Sequence, residues 1–232
     1  MKLAFRCLFV VIAAAILCHF VPQLPAAPAE EGWVNLFNGK DLDGWVQRGG
    51  KAKYRVENGE VVGSTVPNTP NSFLCTTRDY SDFILELEFK VQKGLNSGIQ
   101  VRSQAFDEPK KVNVNGKERE IPAGRVHGYQ VEIDPSDRAY TGGIYDEARR
   151  GWLYDLKDNE AARKAFKQGE WNTFRIECRG DSIKTWLNGV PAADLKDSMT
   201  PSGFISLQVH GVGDRQEPLE VRWRNIRIKE LK

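Results

Sequence analysis

Glu132 and Asp134 stand two residues apart in the stretch GYQVEID, residues 128–134, where Tyr129, Val131 and Ile133 alternate with Gln130, Glu132 and Asp134. With the two-residue period of a β-strand, one face is apolar and the other carries both carboxylates. Neighbouring same-face positions lie roughly 6.5–7 Å apart, close enough for both groups to touch one ligand, cation or reacting bond. The same phase puts Gln100 and Arg102 on one face of a second run, and Gln208 and His210 on one face of a third. If these strands share a sheet, amides, carboxylates, a guanidinium and an imidazole form one patch. Such a patch holds groups suited to general acid and base work and to stabilising developing negative charge. Its amides and carboxylates also suit sugar hydroxyls, with Trp45, Tyr145, Trp152 and Trp171 as candidates for apolar stacking beside them. Each residue has a bland counterpart. Alternating charge is common on the solvated face of an antiparallel sheet, Arg102 can serve only as an ion-pair partner, and tryptophans are more often core than platform. His127 shares the apolar phase of Tyr129 and reads as structural.

Those strands need a scaffold, and the rest of the chain supplies strand signals almost throughout. Pro135 cannot continue a ladder, so the carboxylate strand should stop just past Asp134, with Gly142-Gly143 marking a turn before Ile144-Tyr145. The clearest strand runs from Asp82 to Gln92, with Phe83, Leu85, Leu87, Phe89 and Val91 alternating with Glu86, Glu88 and Lys90. Asn58-Gly59 and Asn188-Gly189 are two-residue hairpin signals. Asn225 reads as a bulge in the final strand, between Val221/Trp223 and Ile226/Ile228. One short helix is expected over Glu160–Gln168, capped by Asp158 or Asn159 and stopped by Gly169. About a dozen short strands without a βαβ rhythm predict an all-β, antiparallel two-sheet sandwich of the jelly-roll type. Residues 104–125 form a charged insertion with its own hairpin signal at Asn115-Gly116, expected on the rim.

Residues 1–29 read as a secretory signal peptide: Lys2 and Arg6, an uncharged run of about 15 residues, prolines, then Ala27-Pro28-Ala29. That run falls short of the ~20 residues of an ordinary spanning helix, so no integral membrane span is expected in the mature chain. One domain is then expected over 30–232, exported to the periplasm or beyond. Without Lys2 and Arg6 the basic and acidic residues balance at 31 each. A neutral chain with no basic cluster has no electrostatic footprint for nucleic acid. Cys75 and Cys178 remain outside the leader; they can pair in an exported protein, and sequence alone leaves that open.

Several motifs in order, GWVNLFNGKDLDGW at 32–45, NSGIQVR at 96–102, GYQVEID at 128–134, GEWNTFRIECRG at 169–180, SGFISLQVHG at 202–211 and VRWRNIRIK at 221–229, resemble the secreted 3-keto-disaccharide hydrolase domain family. The resemblance implies a concanavalin A-like jelly roll and a sugar substrate oxidised to a ketone at C3. A C3 ketone acidifies the C2 proton, so a base can remove it, an enolate forms, the group at C1 leaves, and water then adds. On that chemistry Glu132 or His210 is the base, Arg102 the enolate partner, and Asp134, His210 or Tyr145 the acid. A divalent cation held by Glu132, Asp134 and His210 is the alternative electrophile. Gln100, Gln130, Tyr145, Trp152, Gln208 and Trp45 would then bind the carbohydrate. A second resemblance, of EID to laminarinase-type glucanases, fails at its third acidic position because Pro135 breaks the strand. The rival from another class is a non-catalytic carbohydrate-binding module on the same fold, and the third is a structural envelope domain.

Overall fold

A computed structural model describes residues 31–232, and the leader expected over 1–29 lies outside them. In chain order the strands are β1 (Trp33–Asn35), β2 (Trp45–Gly49), β3 (Lys53–Glu57), β4 (Glu60–Ser64), β5 (Ser72–Thr76), β6 (Phe83–Val91) and β7 (Ser97–Gln104). There follow β8 (Lys110–Val114), β9 (Lys117–Ile121), β10 (His127–Ile133), β11 (Ile144–Glu147) and β12 (Gly151–Tyr154). After helix α1 (Glu160–Ala165) come β13 (Asn172–Arg179), β14 (Ser182–Leu187), β15 (Val190–Lys196), β16 (Phe204–Val209) and β17 (Glu220–Glu230).

Two antiparallel sheets pack face to face, as the alternating strands predict. One has eight strands in the order β15-β14-β13-β6-β17-β4-β3, with β1 paired to β17. The other has seven, β12-β11-β10-β7-β16-β5-β2. Leu85, Phe89, Ile176 and Trp223 of the first sheet and Ile99, Val131 and Leu207 of the second meet in one buried core. Full burial of such side chains contributes about 1.5–3 kcal/mol each. No helix of the described residues is long and apolar enough to cross a membrane.

Local signals and tertiary packing part company at a few places. Asn225 adopts φ 52° where the β17–β6 register shifts, the expected bulge. Asn159 caps α1 by accepting from the Ala162 amide at 3.1 Å, but the helix ends at Ala165 rather than Gln168. Phe166 turns extended there and stacks on Phe89, which packing favours over another helical turn. Trp45, expected beside the site, is instead core: it starts edge strand β2, is buried, and its indole Nε1 donates to the Leu36 carbonyl at 2.9 Å. Cys75 and Cys178 are both buried and free, because they belong to separate clusters on different sheets.

The insertion forms the β8–β9 hairpin, joined to neither large sheet. Its flanks, Ala105 and Val126, close over Phe73, Cys75 and Phe204, which register places on the same outward face as Gln208. The outer face of the seven-stranded sheet is thus covered on one side and open on the other.

Candidate active-site cleft

β10, β7 and β16, the strands that carry the polar patterns, are consecutive in the seven-stranded sheet. Register sets Glu132 and Gln208 on either side of Gly98, and Gln130 opposite Gln100. Gly98 leaves the space that Gln130 uses: a Cβ there would meet Gln130 Cγ at 2.5 Å. Gln130 lies across the strand, its Oε1 accepting from Gln100 Nε2 at 2.6 Å and Gln208 Nε2 at 2.8 Å. Its own Nε2 donates to Glu132 Oε2 at 2.7 Å, while Asn96 Nδ2 donates to Oε1 at 2.6 Å. These amides form one polarised chain ending on a carboxylate.

Glu132 is only 4% exposed. Burial pushes its carboxyl up to about 7; the Asn96 and Gln130 hydrogen bonds and the nearby Arg138 pull the other way without cancelling it. A group balanced near neutrality can both take and return a proton. It borders a cleft of about 530 Å³ whose walls include Asn71, Gln130, Arg138, Tyr145, Trp152, Gln208 and His210. Tyr145 and Trp152 pack edge to face at 5.4 Å, giving the cleft an aromatic side. Gln208 Oε1 is buried with no hydrogen-bond partner among the described residues. An orphaned acceptor at the floor of a cleft is suited to a ligand hydroxyl. Gly98→Ala should therefore displace Gln130 and cost about 1–3 kcal/mol of stability. Ligand binding, followed by tryptophan fluorescence, should weaken in parallel; an unaltered variant in both would show that Gln130 has another place to go.

Asp134 is not in this cleft. Although it follows Glu132 on the same phase, its oxygens accept from Ser136 Oγ at 2.6 Å, Arg138 Nε at 2.7 Å and the Tyr140 amide at 3.3 Å. Burial opposes its ionisation, but the hydrogen bonds from Ser136 and Arg138 outweigh it and hold the carboxyl below its usual range. Asp134 positions Arg138, whose guanidinium lies over Trp152 at 5.0 Å with Nη2 3.9 Å from Glu132 Oε1. With Asp134 committed to that loop, the set Glu132, Asp134 and His210 does not converge, and among the described residues no group of three or more His, Cys, Asp or Glu could hold a metal ion.

Arg102 is not in the cleft either. It takes φ 47° beside the β7–β10 register shift, and is 1% exposed. Its guanidinium donates to the Ser81 carbonyl at 2.6 Å, the Gly180 carbonyl at 2.7 Å and Asp82 at 2.8 Å. The left-handed backbone breaks the two-residue phase on which the strand pattern relied. Gln100, fully buried, supports Gln130 from beneath rather than lining the cleft. Trp171 lies on the other sheet, under Lys90 and Arg224. His127 is buried against Phe106, and burial keeps it neutral by lowering its pKa to about 4.

Sequence reasoning passed over Asn96, Arg138 and Glu147. Asn96 shares the phase of Gly98 and Gln100, and Glu147 that of Tyr145, so both had a signal. Arg138 had none, because a loop brings it. A larger concavity of about 700 Å³ opens on the eight-stranded sheet, but its charged walls are occupied by the pairs Arg175–Glu86 and Arg227–Glu86. The cleft at Glu132, with its orphaned Gln208 Oε1, is the candidate site.

The sequence profile of the 3-keto-alpha-glucoside-1,2-lyase-like domain matches residues 32–229. A 3-keto-disaccharide hydrolase from Bacteroides thetaiotaomicron is 25% identical over 248 residues, spanning 90% of this chain and 81% of that protein. A candidate glycosyl hydrolase of known structure from Parabacteroides distasonis shares the fold with TM-score 0.56 at 19% identity, over 87% of this chain and 95% of its own. A Bacillus subtilis protein of galectin-like fold aligns with TM-score 0.53 at 12% identity, over 82% of this chain and 90% of its own.

Proposed function

Since the chain belongs to the 3-keto-alpha-glucoside-1,2-lyase-like domain family, we propose that it cleaves the glycosidic bond of 3-keto-glycosides, with Glu132 as the base. The observation that carries this reading is a buried carboxyl, pushed up to about 7, facing a sugar-sized cleft beside Arg138. Pockets of roughly 300–1,000 Å³ suit small ligands. The 25%-identical relative is named as a 3-keto-disaccharide hydrolase, which agrees with this substrate class. Ionised Glu132 removes the C2 proton, and the electrons move to the C3 oxygen, where Arg138 stands in the role first expected of Arg102. The enolate then expels the C1 oxygen, which takes a proton from His210 or Tyr145. Water adds at C1, losing a proton that restores His210 or Tyr145, and C2 recovers its proton from Glu132. Gln208 Oε1 accepts from a ring hydroxyl, and Trp152 with Tyr145 offers an apolar side to the sugar. The leader would place this activity outside the cytoplasm.

The test is product release from a 3-keto-disaccharide across pH, with and without chelator, which reports whether a bound cation takes part. As the base must be ionised, kcat/KM should rise with pH through about 7 and then level. If 3-keto-glycosides are untouched while the unoxidised sugar binds, the protein is a carbohydrate-binding module instead.

A further inference from the structure

Glu147 belongs to the same cleft but takes no part in the steps above. Its side chain is 7% exposed, and Oε1 accepts from Arg125 Nη2 at 2.6 Å. Among the described residues no hydrogen bond reaches Oε2. Register pairs Glu147 with Gly128, four residues back along β10 from Glu132, which is roughly 13 Å in the strand direction. Tyr145 occupies the same face between them, opposite Gln130. Gly128 carries no side chain and takes φ 132°; a Cβ there would strike Ser103, so the floor beneath Glu147 stays low.

We infer that Glu147, held by Arg125, forms the subsite for the leaving sugar of a disaccharide, its unbonded oxygen accepting from hydroxyls of that second ring. This rests on the proposed function above. Two linked rings fit the span from Glu132 to Glu147, with the Tyr145–Trp152 pair alongside. A buried carboxylate with one oxygen fixed and one unpaired is an oriented acceptor, and a hydroxyl-bearing ring supplies the missing donor. Arg125 closes the insertion, just ahead of β10, so a segment outside both large sheets sets the geometry of the second subsite. The insertion thereby tunes specificity without touching the reacting atoms.

The experiment compares Glu147→Gln and Arg125→Met with the unaltered protein on a 3-keto-disaccharide and on methyl 3-keto-glucoside, which lacks a second ring. The disaccharide-to-methyl ratio of kcat/KM should fall about ten- to hundredfold in both variants, the drop lying in KM, because a hydrogen bond to a charged group is lost. An unchanged ratio overturns the inference. Calorimetry with the unoxidised disaccharide and methyl glucoside makes the same comparison without turnover. There the unaltered protein should prefer the disaccharide and Glu147→Gln should lose that preference. If neither keto-substrate is cleaved but the preference exists and is lost, the enzymatic reading fails and the subsite stands; if the unaltered protein shows no preference, the subsite falls.

Discussion

Replacing Glu132 by Gln is expected to lower kcat/KM on a 3-keto-disaccharide by about 10²–10⁴-fold, the range associated with losing a positioned general base. Gln keeps the shape, but its amide cannot accept the C2 proton. Binding of the unoxidised sugar should persist, because Gln208, Trp152 and Tyr145 remain in place. A variant as active as the parent would remove Glu132 from the chemistry and leave His210 as the base.

The same substitution should have an opposite effect on stability, and its sign follows from the raised pKa. A carboxyl near 4.5 in the unfolded chain and about 7 in the fold favours the folded state most below pH 4.5. That contribution fades as pH rises and is gone above about 7. The shift corresponds to about 3 kcal/mol. Gln carries no such dependence, so the stability difference between variant and parent should move in the variant's favour by that amount between pH 4.5 and 8, read from urea unfolding at each pH. A site kept costly for its use is the usual form of a stability–activity trade-off. A pH-independent difference would mean that Glu132 titrates as an ordinary surface carboxylate.

The second large effect lies behind the cleft. Asp146 separates Tyr145 and Glu147 on β11, but its side chain points into the sandwich, opposite Tyr129. It is fully buried and pairs with Arg149 at 2.6 Å and with Arg150, which reaches Asp197 at 2.7 Å; Tyr129 donates its hydroxyl to Asp197. Asp146→Ala leaves two arginines without their common partner. Removing one member of a buried ion pair costs about 3–5 kcal/mol, because the remaining charge stays desolvated. For a domain of this size that lowers Tm on the order of 10 °C. Asp146→Asn, which keeps the oxygen acceptor, should lose less. A cost below about 1 kcal/mol for the alanine variant would mean that water reaches the arginines.

What the chain alone determined was set by period and by turn chemistry. Alternation in Phe83–Val91 and GYQVEID is a local property, and burying one face of each strand requires a partner sheet, so the sandwich was legible. The facing of Gln130, Glu132 and Gln208 was legible for the same reason, and so were the Asn225 bulge and a cap at Asp158 or Asn159, which the structure places at Asn159. Tertiary structure decided whatever breaks the period or arrives from elsewhere in sequence. A left-handed Arg102 leaves the polar face to satisfy the carbonyls of Ser81 and Gly180. Asp134 keeps its phase, but its oxygens are taken by the loop it starts, which delivers Arg138 in its place. Trp45 turns inward because an edge strand must also cover the core. Arg125 meets Glu147 only because the insertion folds back over the sheet. A two-residue period predicts which face a side chain takes, but not which long-range hydrogen bonds will claim it.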